Sequence, residues 1–290
     1  MSVESKVAVI IPAWNAAELL PVALKSLREQ TAAPHQVIVV DDGSTDGTVA
    51  VAEQHGATCL RQQHAGPGAA RNRGIAEAKT DYVAFLDADD WYVPQKLERA
   101  VEHLQELGAA CVATDAWIVR DDRVEGRKNR RRTVPSVLTL ECLLRGNPII
   151  CSSVVARREA VLAAGGFDEN PDLIATEDYD LWLRMSQREP LSYIAEPSIF
   201  YRVHTGSLSA NTRFLHGVDL ILDRVARENE GQAHFQSLVR RRRADVRLDF
   251  AWDLIAQKRG REARQVIDEA NRLHRTWKGL RMRLRSLINR

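Results

Sequence analysis

Along the first third of the chain, short apolar runs alternate with stretches whose apolar residues recur at helical spacing. Residues 6–11 (KVAVII) form a near-continuous apolar run closed by Pro12, as in a strand buried on both faces. Residues 18–30 put Leu20, Leu24 and Leu27 on one helical face, with Pro21 tolerated in the first turn. Residues 36–40 repeat the strand pattern and end in the turn-rich DDGSTDGT. Residues 48–55 then predict a helix, 58–61 a short strand, 69–79 a helix and 82–86 a strand. An amphipathic helix follows over 94–107, with Pro94 in its first turn. Strands alternating with helices in this way predict an α/β domain with a mostly parallel central sheet covered by helices.

Beyond Ala110 the pattern loosens. Residues 110–119 predict a strand, 120–132 a charged hairpin or loop, 136–145 a helix, 149–156 a strand and 178–187 a helix. From about residue 214 the composition is helical, with Gly231 and Gly260 as breaks. No run approaches the roughly 18 apolar residues of a membrane span. The apolar segment near the N-terminus is too short for a signal-peptide core, so a cytoplasmic protein is expected. The cysteines at 59, 111, 142 and 151 lie far apart among small or apolar neighbours, which fits reduced buried thiols rather than zinc ligands.

Charge is unevenly distributed along the chain. The formal net charge of +2 hides an asymmetry: residues 236–290 hold sixteen Lys and Arg against six Asp and Glu. An acidic body with a basic helical tail suits an anionic partner for the tail.

In parallel sheets, ligands collect beyond the carboxyl ends of the strands. Three polar clusters fall there: Pro12-Ala13-Trp14-Asn15, Asp41-Asp42-Gly43-Ser44 and Asp87-Ala88-Asp89-Asp90. A single acidic turn reads equally well as a helix cap. Asp87 and Asp89, two apart on an extended segment, tend to point the same way and repel unless a cation or proton intervenes. Carboxylates together with diphosphate oxygens suit Mg²⁺ or Mn²⁺. The glycines around Gly66-Pro67-Gly68 do not follow the first strand, which argues against a dinucleotide fingerprint and against hydride transfer.

Together the segments VAVIIPAWNAAELL, VIVVDDGSTDGT, GPGAARNRGI and YVAFLDADDWYVPQKL resemble a family 2 glycosyltransferase of the GT-A fold. Order and spacing match through residues 7–108, and weaker matches continue to about residue 210. The resemblance implies a catalytic domain over 1–210, with a nucleotide-sugar half (1–108) and an acceptor half (109–210), followed by a basic helical region over 211–290. It implies that Pro12, Ala13, Trp14, Asn15, Asp42, Arg71, Asp87, Ala88 and Asp89 bind the donor. Trp14 offers a stacking face and Asp42 an acceptor for a base N–H. Asp89, joined by His204 of the segment Tyr201-Arg202-Val203-His204, would hold the divalent metal, Mn²⁺ or Mg²⁺. In ATEDYDLW, Asp178 would be the general base that deprotonates the acceptor hydroxyl, with Glu177 and Trp182 toward the acceptor. Trp14 also reads as a core or hinge aromatic, Arg71 as a surface salt bridge, Thr176-Glu177-Asp178 as a helix N-terminus and His204 as an isolated histidine.

The expected activity is an inverting, metal-dependent, single-addition transfer from a nucleotide sugar to a hydroxyl of a glycan or lipid-linked glycan, in surface polysaccharide or glycolipid synthesis. The Q-x-x-R-W segment of processive synthases is not in the sequence. A nucleotidyltransferase would want a basic or Gly-rich loop after the first strand, where residues 12–20 carry neither Lys nor Arg. An inactive sugar-nucleotide-binding scaffold would not require Asp87, Asp89 and Asp178. In the tail, Trp277, Leu280, Leu284, Leu287 and Ile288 fall at helical spacing between Lys278, Arg281, Arg283 and Arg285. Residues 277–290 thus read either as an interfacial helix on the cytoplasmic face of an anionic membrane or as a helix packed on the protein. No nucleic-acid recognition motif accompanies the charge.

Overall fold

The structure, a computed structural model, describes residues 6–203 and 212–288. The chain divides into two compact units, Met1–Leu140 with Pro148–Thr205, and Glu141–Asn147 with Gly206–Arg290. The first unit opens as the apolar pattern implies, with β1 (Val7–Ala13), α1 (Leu20–Arg28), β2 (Gln36–Asp41), α2 (Thr48–Gln54), β3 (Thr58–Arg61), α3 (Pro67–Glu77) and β4 (Tyr82–Phe85). It continues through β5 (Trp91–Tyr92), α4 (Lys96–Leu107), β6 (Cys111–Arg120), β7 (Arg123–Arg127) and β8 (Val137–Leu138). After α5 (Leu140–Arg145), most of which belongs to the second unit, come β9 (Val155–Arg157), α6 (Arg158–Ala163), α7 (Glu177–Arg188) and β10 (Leu191–Arg202).

These strands form one mixed α/β sheet in the order β3-β2-β1-β4-β9-β6-β10-β5, with β7 on β6 and β8 on β10. Pairing among β3, β2, β1 and β4 is parallel. β9 runs antiparallel to both β4 and β6, and β10 runs parallel to β6. The carboxyl ends of β1, β2, β4, β6 and β10 therefore share one edge of the sheet.

Several elements differ from the sequence expectation: β5 and α6 were not expected, and the helix expected over 136–145 is β8 followed by the shorter α5. The strand expected over 149–156 is a 3₁₀ turn at Cys151–Ser153 followed by the short β9. The twelve-residue β10, which no sequence signal announced, pairs with β6 through register shifts on both sides of Pro197. That Pro, after Glu196, breaks the alternation that marks a strand.

The sheet's core is apolar from one side chain to the next: Val9, Ile10, Ile11, Val39, Ala84 and Val155 are all fully buried. Helix α3 lies close against β1 because Gly74 has no side chain. A Cβ there would come 2.5 Å from Ile10 Cγ2.

The second unit holds α8 (Thr212–Glu228), α9 (Ala233–Ala256), α10 (Gly260–Leu273) and α11 (Trp277–Ile288). Gly231, at φ +83°, separates α8 from α9. The core of this unit gathers Leu248, Phe250, Ala251, Leu254, Ile267 and Met282. Helix α11 turns Gly279 and Met282 inward and leaves Trp277 83% exposed, so the face that packs is not the one bearing Trp277. No helix among the described residues is long and apolar enough to cross a membrane.

Gly74→Ala should destabilise the protein by about 1–3 kcal/mol, because Ile10 is held between sheet and helix and cannot yield. A urea titration checks this; an unchanged midpoint would show that the α3–β1 contact is loose.

Candidate active site

The edge formed by the strands' carboxyl ends is built from three linked turns. Beyond β1, Asn15 adopts a left-handed φ of +49°. Its backbone N–H donates to Ser44 Oγ at 2.9 Å, and its Oδ1 accepts from Thr45 N at 2.9 Å. The N–H groups of Ala16 and Ala17 donate to Thr48 Oγ1 and Asp46 Oδ2. Pro12 and Ala13 close β1 behind this turn, and Trp14 stands 55% exposed on it.

Asp42 takes a different place from the one expected. Its Oδ1 accepts from Gln62 Nε2 at 2.8 Å and Ala65 N at 2.9 Å, and its Oδ2 from Gly66 N at 2.8 Å. His64 Nδ1 lies 3.0 Å from the same Oδ2. Three donors from residues 62–66 thus reach the carboxylate, and His64 Nδ1 also lies 3.2 Å from the Asp42 carbonyl oxygen, so Asp42 anchors that loop. What the loop delivers is His64, whose ring lies 4.8 Å from that of Trp14. His64 carries no motif and was not legible in the sequence.

Beyond β4, Asp87 N and Asp90 meet at Ser152. The Asp87 N–H donates to Ser152 Oγ at 3.0 Å, and that hydroxyl donates to Asp90 Oδ2 at 2.5 Å. Arg202 N, at the end of β10, donates to Asp90 Oδ1 at 2.9 Å. Asp90 is wholly buried, and burial, followed by the neighbouring Asp89 and Asp87 charges, pushes its carboxyl well above the usual range. The buried Lys96 donates to the Ser153 carbonyl, so α4 steadies the same turn. Ala88 packs against the sheet core, while Asp87 and Asp89 remain half-buried at the surface of the turn.

Arg71 is only 4% exposed, so it is a buried ion-pair partner and not a surface salt bridge. Its Nη2 donates to Asp87 Oδ1 and its Nη1 to Glu177 Oε1, both at 2.7 Å. The guanidinium also lies 5.2 Å over the Phe167 ring. Gly68 permits the approach, since a Cβ there would meet Glu177 Cγ at 3.3 Å. Glu177 is buried by this pairing, and its Oε2 has no hydrogen-bond partner among the described residues. Trp182, expected to meet the acceptor, is instead fully buried, with its indole packed on Phe85 and Phe167.

Asp178 opens α7 beside Glu177 and remains half-buried at the surface. Its Oδ1 accepts from Tyr179 N at 2.6 Å. Burial, and then the Glu177 charge, raise its carboxyl to about 7. Tyr201, near the end of β10, feels Asp90, Asp87, Asp89 and Asp178 together, and burial with these charges pushes its phenol up. Acidic groups from two separate segments, the turn after β4 and the start of α7, thus act on this one ring. His204 lies outside the described residues.

Among the described residues no group of three or more His, Cys, Asp or Glu side chains gathers as a metal site, so a cation here would rest on one or two carboxylates of the Asp87–Asp89 turn and complete its shell with ligand oxygens.

Residues 8–165 match the family described as Glycosyl transferase family 2. The chain belongs to that family. It is 29% identical over 212 residues to the putative teichuronic acid biosynthesis glycosyltransferase TuaG of Bacillus subtilis, covering 71% of this chain and 82% of TuaG. It is 28% identical over 210 residues to the UDP-Glc:alpha-D-GlcNAc-diphosphoundecaprenol beta-1,3-glucosyltransferase WfaP of Escherichia coli, covering 71% of this chain and 80% of WfaP. Among solved structures, S. aureus TarS 1–349 in complex with UDP-GlcNAc superposes with a TM-score of 0.67 at 18% identity, covering 97% of this chain and 89% of that one. Against a longer TarS chain, the protein spans 54% of the length. The mannosyltransferase PcManGT from Pyrobaculum calidifontis, in complex with GDP-Man and Mn²⁺, gives 0.66 at 18% identity, covering 99% and 81%. The fold of this glycosyltransferase is GT-A.

Arg71→Leu should cost about 3–5 kcal/mol, because it strands the Asp87 and Glu177 carboxylates at a largely buried position. Chemical denaturation measures it. A loss below about 1 kcal/mol would mean that Arg71 does not hold the two together.

Proposed function

We propose that the protein is an inverting, single-addition glycosyltransferase that moves a sugar from a nucleotide diphosphate sugar to a hydroxyl of a glycan or lipid-linked glycan, in cell-surface polysaccharide synthesis. The observation that carries this reading is the Arg71 bridge, which sets Asp178 and the Asp87–Asp89 turn against one another at the strand ends. Residues 1–108 would bind the donor and 109–210 the acceptor, with 211–290 a helical appendage. The names of TuaG and WfaP, a teichuronic acid enzyme and an enzyme acting on a diphosphoundecaprenol-linked sugar, support the acceptor class.

In this reading the Trp14–His64 pair and the Asn15 turn receive the base, and Asp87 lies toward the ribose. Asp89 would hold Mn²⁺ or Mg²⁺, as the Mn²⁺ named with PcManGT suggests, and the bound cation would neutralise the departing diphosphate. Asp178 takes the proton of the acceptor hydroxyl as its oxygen attacks the anomeric carbon. The bond to the diphosphate breaks on the opposite face, and nucleoside diphosphate leaves. One base and one displacement invert the anomeric centre. Glu177 acts through its place beside Asp178, where its charge helps keep that carboxyl basic enough to accept a proton near neutrality.

Asp178 must be ionised to act, and its carboxyl titrates at about 7. Turnover should rise with pH through about 7 and level off above it. Asp178→Asn keeps the shape and loses the basicity, so turnover should fall about 10²-fold or more, and its rise near 7 should vanish. Initial rates of donor consumption across pH check both. Wild-type turnover in the mutant would move the base elsewhere.

We also propose that the helical unit rests on an anionic membrane surface near the acceptor. Trp277 is 83% exposed on α11, beside the exposed cations Lys278 and Arg281. Lys278 is paired with Asp249 at 2.6 Å, which reduces its pull, so the contact is weak and reversible. Because Gly279 and Met282 pack inward, the helix cannot be deleted without disturbing the unit, and Trp277→Ala is the cleaner probe. It should weaken sedimentation with phosphatidylglycerol vesicles at low salt by about tenfold or more, corresponding to the loss of about 1.5–3 kcal/mol expected of a buried large side chain. Equal sedimentation of both proteins would remove Trp277 from the contact.

A further inference from the structure

The segment that follows β7 reads Arg127-Lys128-Asn129-Arg130-Arg131-Arg132, five cations around one amide with no acidic residue among them. Its shape is set from inside. Asn129 is buried, and its Nδ2 donates to Asp115 Oδ1 at 3.1 Å, Pro148 O at 3.2 Å and Tyr193 OH at 2.9 Å. Its backbone N–H donates to the same Asp115 oxygen, and Lys128 N donates to Ala116 O at 2.9 Å. A single buried amide therefore pins the turn to β6 and β10 while every cation around it stays exposed.

The turn also faces the chemistry. The Lys128 ammonium lies 5.6 Å from the centre of the Tyr201 ring, the ring that feels all four acidic groups of the centre. Burial, and then Arg132, act to lower the Lys128 pKa, while Asp115 and Asp178 act to raise it. Lys128 is thus open to water yet has protein on most sides, as a side chain lining a cleft does. Among the described residues, Lys128, Arg130 and Arg131 have no ion-pair partner. Elsewhere in this unit Arg61, Arg71, Arg184 and Arg202 each have an acidic one. Holding like charges together in a rigid turn is unfavourable until an anion joins them.

We propose that Lys128, supported by the cations of this turn, seats a phosphate or diphosphate group carried by the acceptor. The proposal rests on the reading above, in which Asp89 faces the donor diphosphate and Asp178 the acceptor hydroxyl. The donor's own phosphates are then accounted for, and the anion at Lys128 belongs to the other substrate. A phosphate near the reacting hydroxyl would be clamped by charge-assisted hydrogen bonds, which fix position as well as supply affinity.

Calorimetry on the full-length protein tests this with inorganic phosphate as the probe, in Mg²⁺ and a saturating nucleoside diphosphate. Wild type should bind phosphate with the nucleotide in place, and the affinity should fall as salt rises. Lys128→Gln should weaken phosphate binding about tenfold or more, and Lys128→Arg should restore most of it. Equal affinity in wild type and Lys128→Gln, or no phosphate binding by wild type, overturns the proposal. Displacement of phosphate by the nucleotide also overturns it, by placing Lys128 at the donor end. If phosphatidylglycerol vesicles bind through Lys128 and phosphate does not, the turn is a membrane contact and the proposal falls. Should wild type bind no nucleoside diphosphate at all, the glycosyltransferase mechanism itself fails, an outcome distinct from the others.

Discussion

A buried guanidinium between two carboxylates is the constraint on which the site depends. Arg71 comes from the first turns of α3, Asp87 from the turn after β4, and Glu177 from the start of α7, more than a hundred residues further on. Burying such groups is unfavourable unless every partner is in place, so the three segments form one arrangement or none. The arrangement then sets the position of Asp178, which adjoins Glu177, and of Asp89, which lies two residues past Asp87. A site for two-substrate chemistry needs its donor end and its base held at a fixed separation, and here one side chain spans the gap.

Supporting contacts extend outward from that bridge. Gly68 lets α3 and the segment before α7 approach, Phe167 covers the guanidinium, and Trp182 fills the space beneath with Phe85. On the other side Ser152 joins the Asp87 backbone to Asp90, and Asp90 takes the backbone of β10. Polar groups at the centre of the site are thus hydrogen-bonded to elements that the sheet already holds rigid, which is how a cleft of like charges stays in place.

The first half of the fold was legible because β1, β2 and β4 are buried on both faces and read as unbroken apolar runs. The helices between them carry apolar residues at helical spacing. Beyond residue 110 the sheet becomes mixed, and its second half is made of strands whose pattern is interrupted. β10 carries Pro197 at a bulge, and β9 spans only Val155–Arg157, so neither gave a periodic signal. Among candidate site residues, Asp87, Asp89 and Asp178 sit at the surface of one acidic centre. Motif does not say which way a side chain turns: Trp182 lies in the core, Arg71 bridges two carboxylates, and Asp42 also holds the loop at residues 62–66. His64 and Lys128 were missed because each gains its neighbours only through tertiary contact.

In the proposed mechanism a single base on one face and a departing diphosphate on the other act in one displacement. Proton NMR of the sugar first released when the enzyme hydrolyses a nucleotide sugar tests it most directly, because water then takes the place of the acceptor hydroxyl beside Asp178. One displacement with inversion means that the released sugar first appears with the anomeric configuration opposite to that of the donor, before mutarotation. Release with the donor's configuration retained would contradict it.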